Sequence, residues 1–353
     1  MISNTERITL KRLLVTALII TVLFLIISYF VATLIGPLMF FSTADGLKIS
    51  SQFYHPSILL FLTFGFSIPV ALNAGQIFLS LTALYSICLI AAWKSKESFL
   101  KIIRKGFSRP MTKLFKNFLF IMPLLTSMLL TMVIGISSLQ ETAGVPTGEI
   151  PPEENPFKTL LELTYAPIRE EIGFRISPLA VFLFVHLFLI RKKSGTISSF
   201  GQQVKLVLLA ILSPDRAKKM VGVKTVSDFG VKDGVTRGEW IMVILTSLIF
   251  GLAHYISGFG WGPGKITTAF INGLVFALVY LIYGVYAPIL LHWFFNYYLQ
   301  VYFMAVDVYP VITSFYTLIL LVTLTLGVAG WIMIAILGIR KLSGSLTSKP
   351  VYA

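Results

Sequence analysis

The sequence predicts an all-α polytopic membrane protein, a bundle of about eight transmembrane helices around a polar intramembrane cavity. Three observations carry that expectation. Of 353 residues, 56% are hydrophobic and only 12% are charged, about half the charged share of an ordinary soluble domain. Apolar runs long enough to cross a bilayer, which takes about 20 residues, recur from end to end. The ionisable residues left inside those runs gather in three short clusters.

The runs cover roughly 13–36, 57–93, 118–138, 170–190, 240–257, 266–284, 286–304 and 311–339. The first follows a basic flank, TERITLKRLL, and has no small-residue cleavage site, so it reads as a retained span. The second is too long for one straight crossing. Its soft centre, SIPVALNAGQ, contains Pro69, Asn73 and Gly75, which allows one long kinked helix or two spans. Charge chooses between them. Segment 94–117 holds Lys94, Lys96, Lys101, Arg104, Lys105, Arg109, Lys113 and Lys116 against Glu97. Segment 191–237 is also basic, opening with Arg191, Lys192 and Lys193, whereas 139–156 carries Glu141, Glu149, Glu153 and Glu154 and no base. Lysine and arginine favour the cytoplasmic side. Counting 57–93 as one crossing places both basic loops, the N-terminus and the tail with Arg340, Lys341 and Lys349 on that side. The expected arrangement is therefore eight spans in the cell membrane with both termini cytoplasmic. It divides into N-terminal helices and a basic loop (1–117), a core (118–304), and a last helix with a basic tail (305–353). KLVLLAIL, 205–212, reads as an interfacial amphipathic helix within the second basic loop.

The net charge of +14 follows from those loops, and no nucleic-acid-binding signature accompanies it. Cys88 is the only cysteine, which excludes an internal disulfide and a CxxC-type zinc or redox site. No internal repeat or separate soluble domain is visible.

The three polar clusters are REEIGFR (169–175), FGLAH (250–254) and HWFFN (292–296). Helical residues four apart share a face, so Glu171 can pair with Arg175, whereas Glu170 points about 100° away without that partner. A desolvated carboxylate suits general acid–base work. Phe250 shares a face with His254, and His292 with Asn296. A carboxylate, two histidines and a carboxamide supply a base, a second proton handler and donors for an oxyanion. His186 and His55 read as helix–helix or interfacial contacts.

Taken in order, EEIGFR fits EExxxR, FGLAH fits FxxxH and HWFFN fits HxxxN. Over about 155–303 the chain resembles the CPBP intramembrane proteases (the CAAX proteases and bacteriocin-processing enzymes, or Abi family), and among them the type II CAAX prenyl endopeptidases. The resemblance implies a glutamate-type endopeptidase that uses no metal. Glu170 and His254 would activate water, and His292 and Asn296 would form the oxyanion hole. Glu171 and Arg175 would hold the first glutamate, and Phe250 would line the cavity near His254. It also implies a membrane-associated or lipidated substrate, with CAAX-type cleavage after a prenylated cysteine as one form.

Other chemistries fit less well. HExxH is absent, GFG at 258–260 precedes Trp261 instead of aspartate, and YISG lacks a leading glycine. Glu170, His254 and His292 form a possible zinc set, ranked below the metal-free reading. A non-catalytic immunity factor or scaffold and a proton-coupled transporter are the rival functions. GFGWGPG, 258–264, reads as an interfacial turn with a tryptophan anchor, or less simply as a mobile gate.

One tension accompanies the spans. At ~1.5 Å per residue Glu170 lies roughly 30 Å from Arg191, whereas His292 lies about 9 Å from Tyr286. They meet only if the helices are tilted and unequal, or if the helix carrying Glu170 begins earlier, near Phe157.

Overall fold

In lipid only a helix or a closed barrel satisfies every backbone N–H and C=O internally, and all of the apolar runs but the first part of 57–93 fold as helices. The computed structural model describes residues 4–62, 64–70, 72–95, 97–105, 111–151, 154–193, 199–257 and 259–347; Ala71, Lys96, Arg109, Glu153, Gly258 and Lys349 lie outside them. The order is α1 (Asn4–Ser42), α2 (Ala44–Ser50), β1 (Phe53–Tyr54), β2 (Ser57–Leu60), β3 (Phe64–Ser67), β4 (Leu72–Asn73), α3 (Ala74–Lys94), α4 (Phe99–Lys105) and α5 (Phe118–Thr142). A single long helix follows, made of α6 (Pro156–Glu171), a π-helical turn (Ile172–Ile176) and α7 (Ser177–Lys193). The basic segment folds as α8 (Phe200–Leu212), α9 (Pro214–Val221) and α10 (Val226–Gly234). Next come α11 (Arg237–Ile256), α12 (Gly264–Tyr283), α13 (Tyr286–Trp293), a second π turn (Phe294–Tyr298), α14 (Leu299–Val308) and α15 (Thr313–Thr347).

Among the described residues seven helices are long and apolar enough to cross a membrane: 12–42, 74–94, 118–142, 156–190, 237–256, 264–283 and 310–341. The expected eighth, 286–304, is also helical and runs unbroken over 286–308. Its tyrosines, His292 and Asn296 make it less apolar than the others. They are tolerated because this helix is the packed centre of the bundle, with Leu290, Leu291, Trp293, Phe294 and Tyr298 all buried. Its hydroxyls find partners across the core. Tyr297 donates to the Ala32 carbonyl at 3.1 Å, Tyr302 to Ser28 O at 2.8 Å, and Tyr298 shares a 2.6 Å hydrogen bond with the Ser28 hydroxyl.

Two expected spans need correction. The described residues of 57–73 are not helical. Pro56 and Pro69 bracket the segment, and each proline removes a helix hydrogen bond and disfavours the helix there. β2 and β3 instead pair as an antiparallel hairpin from Ser57↔Ser67 to Leu60↔Phe64, and β1 pairs with β4 beneath it. Only 74–94 of that run forms a spanning helix, opened by a capping box between Asn73 and Gln76. The helix carrying Glu170 begins at Pro156, capped by Asn155, rather than at 170. Lys158, Glu162 and Pro167 hide this early start in the sequence, and the extra turns resolve the depth mismatch between Glu170 and His292.

Other elements position these helices. Asn117 donates to the carbonyls of Ala92 (3.1 Å) and Glu97 (2.9 Å) and caps α5 through Phe120 N–H, tying the end of α3 to the start of α5. Lys218 is buried against Glu239 at 2.7 Å, and Glu239 also closes a capping box with Thr236 at the start of α11. KLVLLAIL lies within α8, which buries Leu206 and Ala210 on one side and exposes Val204, Leu208 and Leu212 on the other. Cys88 is buried and unpaired.

Candidate active site

All three polar clusters arrive at one place, and two of them do so on π-helical turns. A π turn widens the helix and frees carbonyls from the regular ladder. In the first cluster the freed groups hold the hairpin. Gly173 O accepts from Leu62 N–H at 3.1 Å. The Ser177 hydroxyl donates to Ile172 O at 2.8 Å and accepts from Phe61 N–H at 2.9 Å. These bonds support Phe61 and Leu62 at φ 45° and 73°, a conformation residues other than glycine seldom adopt. The hairpin tip therefore seats on the EEIGFR turn.

Gly173 is what permits that seat, since a Cβ at this position would stand 2.5 Å from Leu59 Cδ2. Gly173→Val is expected to displace the hairpin and to lower kcat/KM on the order of a hundredfold, the cost of a small misplacement near reacting groups. Faster amide exchange at Phe61 and Leu62 would accompany the loss. Unchanged exchange and turnover would show that the hairpin has no part in the site.

Behind the hairpin a buried polar chain runs inward. Arg175 Nη1 donates to Glu171 Oε1 at 2.9 Å, and the same oxygen faces His292 Nδ1 at 2.8 Å. All three side chains are buried. Glu171 thus accepts a hydrogen bond from His292 Nδ1–H and fixes the ring, turning Nε2 toward Glu170, whose Oε2 lies 3.7 Å away. That separation is beyond a direct hydrogen bond, and Glu170 Oε2 has no hydrogen-bond partner among the described residues. Glu170 is also the more open group, 27% exposed against 5% for His292.

The FxxxH helix supplies the opposite wall. His254 Nδ1 is held by the Phe250 carbonyl at 2.8 Å, one helical turn back. The Phe250 ring is the platform of the site. Arg175 Cζ sits 3.8 Å above it, and the His254 and His292 rings meet it edgewise at 4.5 and 5.9 Å. A desolvated guanidinium over an aromatic face gains about 2 kcal/mol, which offsets part of the cost of burying Arg175. Asn296 is half-buried on the second π turn, one turn beyond His292. Among the described residues it has no hydrogen-bond partner. The structure thus joins Glu170, Glu171, Arg175, Phe250, His254 and His292 and places Asn296 beside them. No group of three or more described His, Cys, Asp or Glu residues has metal-holding geometry. His186 stacks on Phe182 at 5.9 Å and takes no part.

Residues 152–298 match the family model for Rce1-like proteins, described as type II CAAX prenyl endopeptidase Rce1-like. Over this segment, less than half of its length, the chain is similar to Rce1-like proteins. No curated protein and no solved structure matches the chain. The seven apolar helices make this a multi-pass membrane protein, and the match over 152–298 supports an intramembrane endopeptidase in general. The matched segment holds all three clusters but not the hairpin, which the chain supplies from before it.

Sequence reading missed two residues packed against this cluster. Gly273 on α12 faces Arg175, and a Cβ there would come within 3.0 Å of both Nη2 and Ser247 Cβ. Phe276 stacks near His292 with ring centroids 5.4 Å apart. A lone glycine inside an apolar helix is a signal of close packing and marks position 273. Nothing in the local pattern marks Phe276 among so many phenylalanines.

Proposed function

We propose that this protein is a glutamate-type intramembrane endopeptidase that cleaves a membrane-associated, lipidated peptide, in CAAX fashion beside a prenylated cysteine. The observation that carries the reading is the division between the two glutamates. Glu171 is fully buried and committed through Oε1 to Arg175 and His292, although its Oε2 is unpaired, whereas Glu170 is partly open and its Oε2 makes no hydrogen bond.

In this reading a water lies between Glu170 Oε2 and a histidine Nε2, a separation such as 3.7 Å being one that water bridges. Glu170 removes its proton as the oxygen adds to the scissile carbonyl. Each histidine has Nδ1 tied to an acceptor, His254 to a carbonyl and His292 to Glu171, so only Nε2 of either ring can exchange a proton. His254 shares the activated water. His292 stabilises the oxyanion when Nε2 is protonated, with two carboxylates beside the resulting imidazolium. The Asn296 amide is the second donor. Proton return from Glu170 to the leaving amine completes the cycle, with no metal in any step.

The test uses the detergent-purified protein with prenylated and unprenylated C-terminal peptides, read by mass spectrometry, with and without a strong chelator. Cleavage next to the prenylated cysteine that persists in chelator is the expected result. Loss of cleavage restored by added zinc would replace the metal-free mechanism with the zinc alternative. No cleavage of any peptide would move the assignment to a non-catalytic scaffold.

A further inference from the structure

The polar groups near Glu170 include one cation that the three clusters do not contain. Lys265 lies in the first turn of α12, half-buried. Its Nζ rests 3.7 Å from the centre of the Trp261 ring. Among the described residues no carboxylate pairs with it, although it is within electrostatic reach of Glu170 and His254. Its platform is fixed. Trp261 pairs with Gly148 through a β-bridge, Gly262 N–H donates to Thr147 O at 2.9 Å, and Gly264 N–H donates to Pro146 O at 2.9 Å.

A lysine ammonium has three donors, and a contact with a ring face uses none of them as a hydrogen bond. A cation drawn partly out of water and left unpaired is unfavourable, so an anion that arrives there is bound strongly. The same face of α12 leads inward from this point. Two turns on, the Asn272 side-chain oxygen is buried without a partner. One turn further, Phe276 packs on His292. A cation at the mouth, an open acceptor midway and the reacting groups at the end form a track for a peptide whose anionic end stays outermost. The Trp261 ring that carries Lys265 lies 6.4 Å from the His254 ring, which places the cation beside the reacting groups.

We propose that Lys265 is a specificity-determining residue that binds a carboxylate of the substrate on the leaving side of the scissile bond, with Asn272 accepting a peptide N–H on the way. This rests on the peptidase reading above. Two carboxylates have the required chemistry, the C-terminal α-carboxylate and an Asp or Glu side chain within the last three residues.

The experiment compares matched peptides that end in a free acid or an amide, with an amide peptide bearing an Asp side chain as the third arm. They are assayed with the wild type, Lys265→Met and Lys265→Arg. The wild type is expected to prefer the acid over the plain amide by roughly ten- to a hundredfold in kcat/KM, the range for a hydrogen bond to a charged group. The preference should lie in KM, vanish in Lys265→Met and survive in Lys265→Arg. The plain amide peptide should be cleaved equally by all three proteins, a result that general misfolding cannot give. Rescue of the amide by Asp identifies the side chain as the source, and no rescue identifies the chain terminus. Equal cleavage of the acid, the plain amide and the Asp-bearing amide by the wild type, or a preference that persists in Lys265→Met, overturns this inference and leaves the peptidase standing. A wild type that cleaves no peptide overturns both.

Discussion

Glu170→Gln is expected to lower kcat by about a hundred- to ten-thousandfold, the usual contribution of a positioned acid or base, while thermal stability in detergent stays close to wild type. Glutamine keeps the shape of the side chain and removes only its capacity to take a proton. The carboxylate makes no hydrogen bond through Oε2 and lies 3.7 Å from His292 Nε2, so little structure depends on its charge. His254→Ala should cost a similar factor, because its ring is held at Nδ1 by Phe250 and offers only Nε2 to the same water. Groups that act as a unit are non-additive, so the double variant should lose scarcely more than either single one. Wild-type turnover by Glu170→Gln would remove the general base from the mechanism. Additive losses would separate Glu170 and His254 into different steps.

How far that site could be read beforehand differs by residue. The pairing of Glu171 with Arg175, and the isolation of Glu170 from it, follow from helical spacing, and the π turn between them leaves that pairing in place. What spacing could not show is the partner of Glu171 across the bundle. The sequence reading has Glu171 and Arg175 holding Glu170; in the structure they hold His292. A tertiary contact between residues 121 positions apart leaves no local signal. The hairpin is invisible for another reason. SILLFLTFGF is as apolar as a spanning helix, and a short apolar run fits either structure. Only Pro56 and Pro69 at its borders argue otherwise. The early start at Pro156 was masked by the charges of α6, which apolarity alone reads as a loop. The central helix 286–308 was found because its apolar residues outnumber its tyrosines. Its burial, which makes those tyrosines affordable, became legible only with the neighbours in place.

The pair behind Glu170 should respond in the opposite way to it, through stability first. Arg175→Met removes the guanidinium from a fully buried contact and leaves the Glu171 carboxylate without its cation. Breaking one side of a buried pair costs about 3–5 kcal/mol, so a large fall in unfolding temperature is expected. Methionine keeps much of the packing on Phe250, which confines the loss mainly to charge. Adding Glu171→Leu to Arg175→Met should recover most of that stability, because replacing a buried pair by apolar groups of similar size is often neutral. Activity should not return with it. Without Glu171 Oε1, the His292 Nδ1 proton loses its acceptor at 2.8 Å and the ring is no longer aimed at Glu170. Thermal unfolding and peptide turnover measured on the wild type, the two single variants and the double variant close the cycle. Recovered stability without activity would separate the cost of burying these charges from their use in orienting His292. Recovered activity would make Arg175 and Glu171 structural alone and transfer the orientation of His292 to its packing against Phe250 and Phe276. Unchanged unfolding in Arg175→Met would contradict the burial of the pair itself, and with it the reason that Gly273 must stay small.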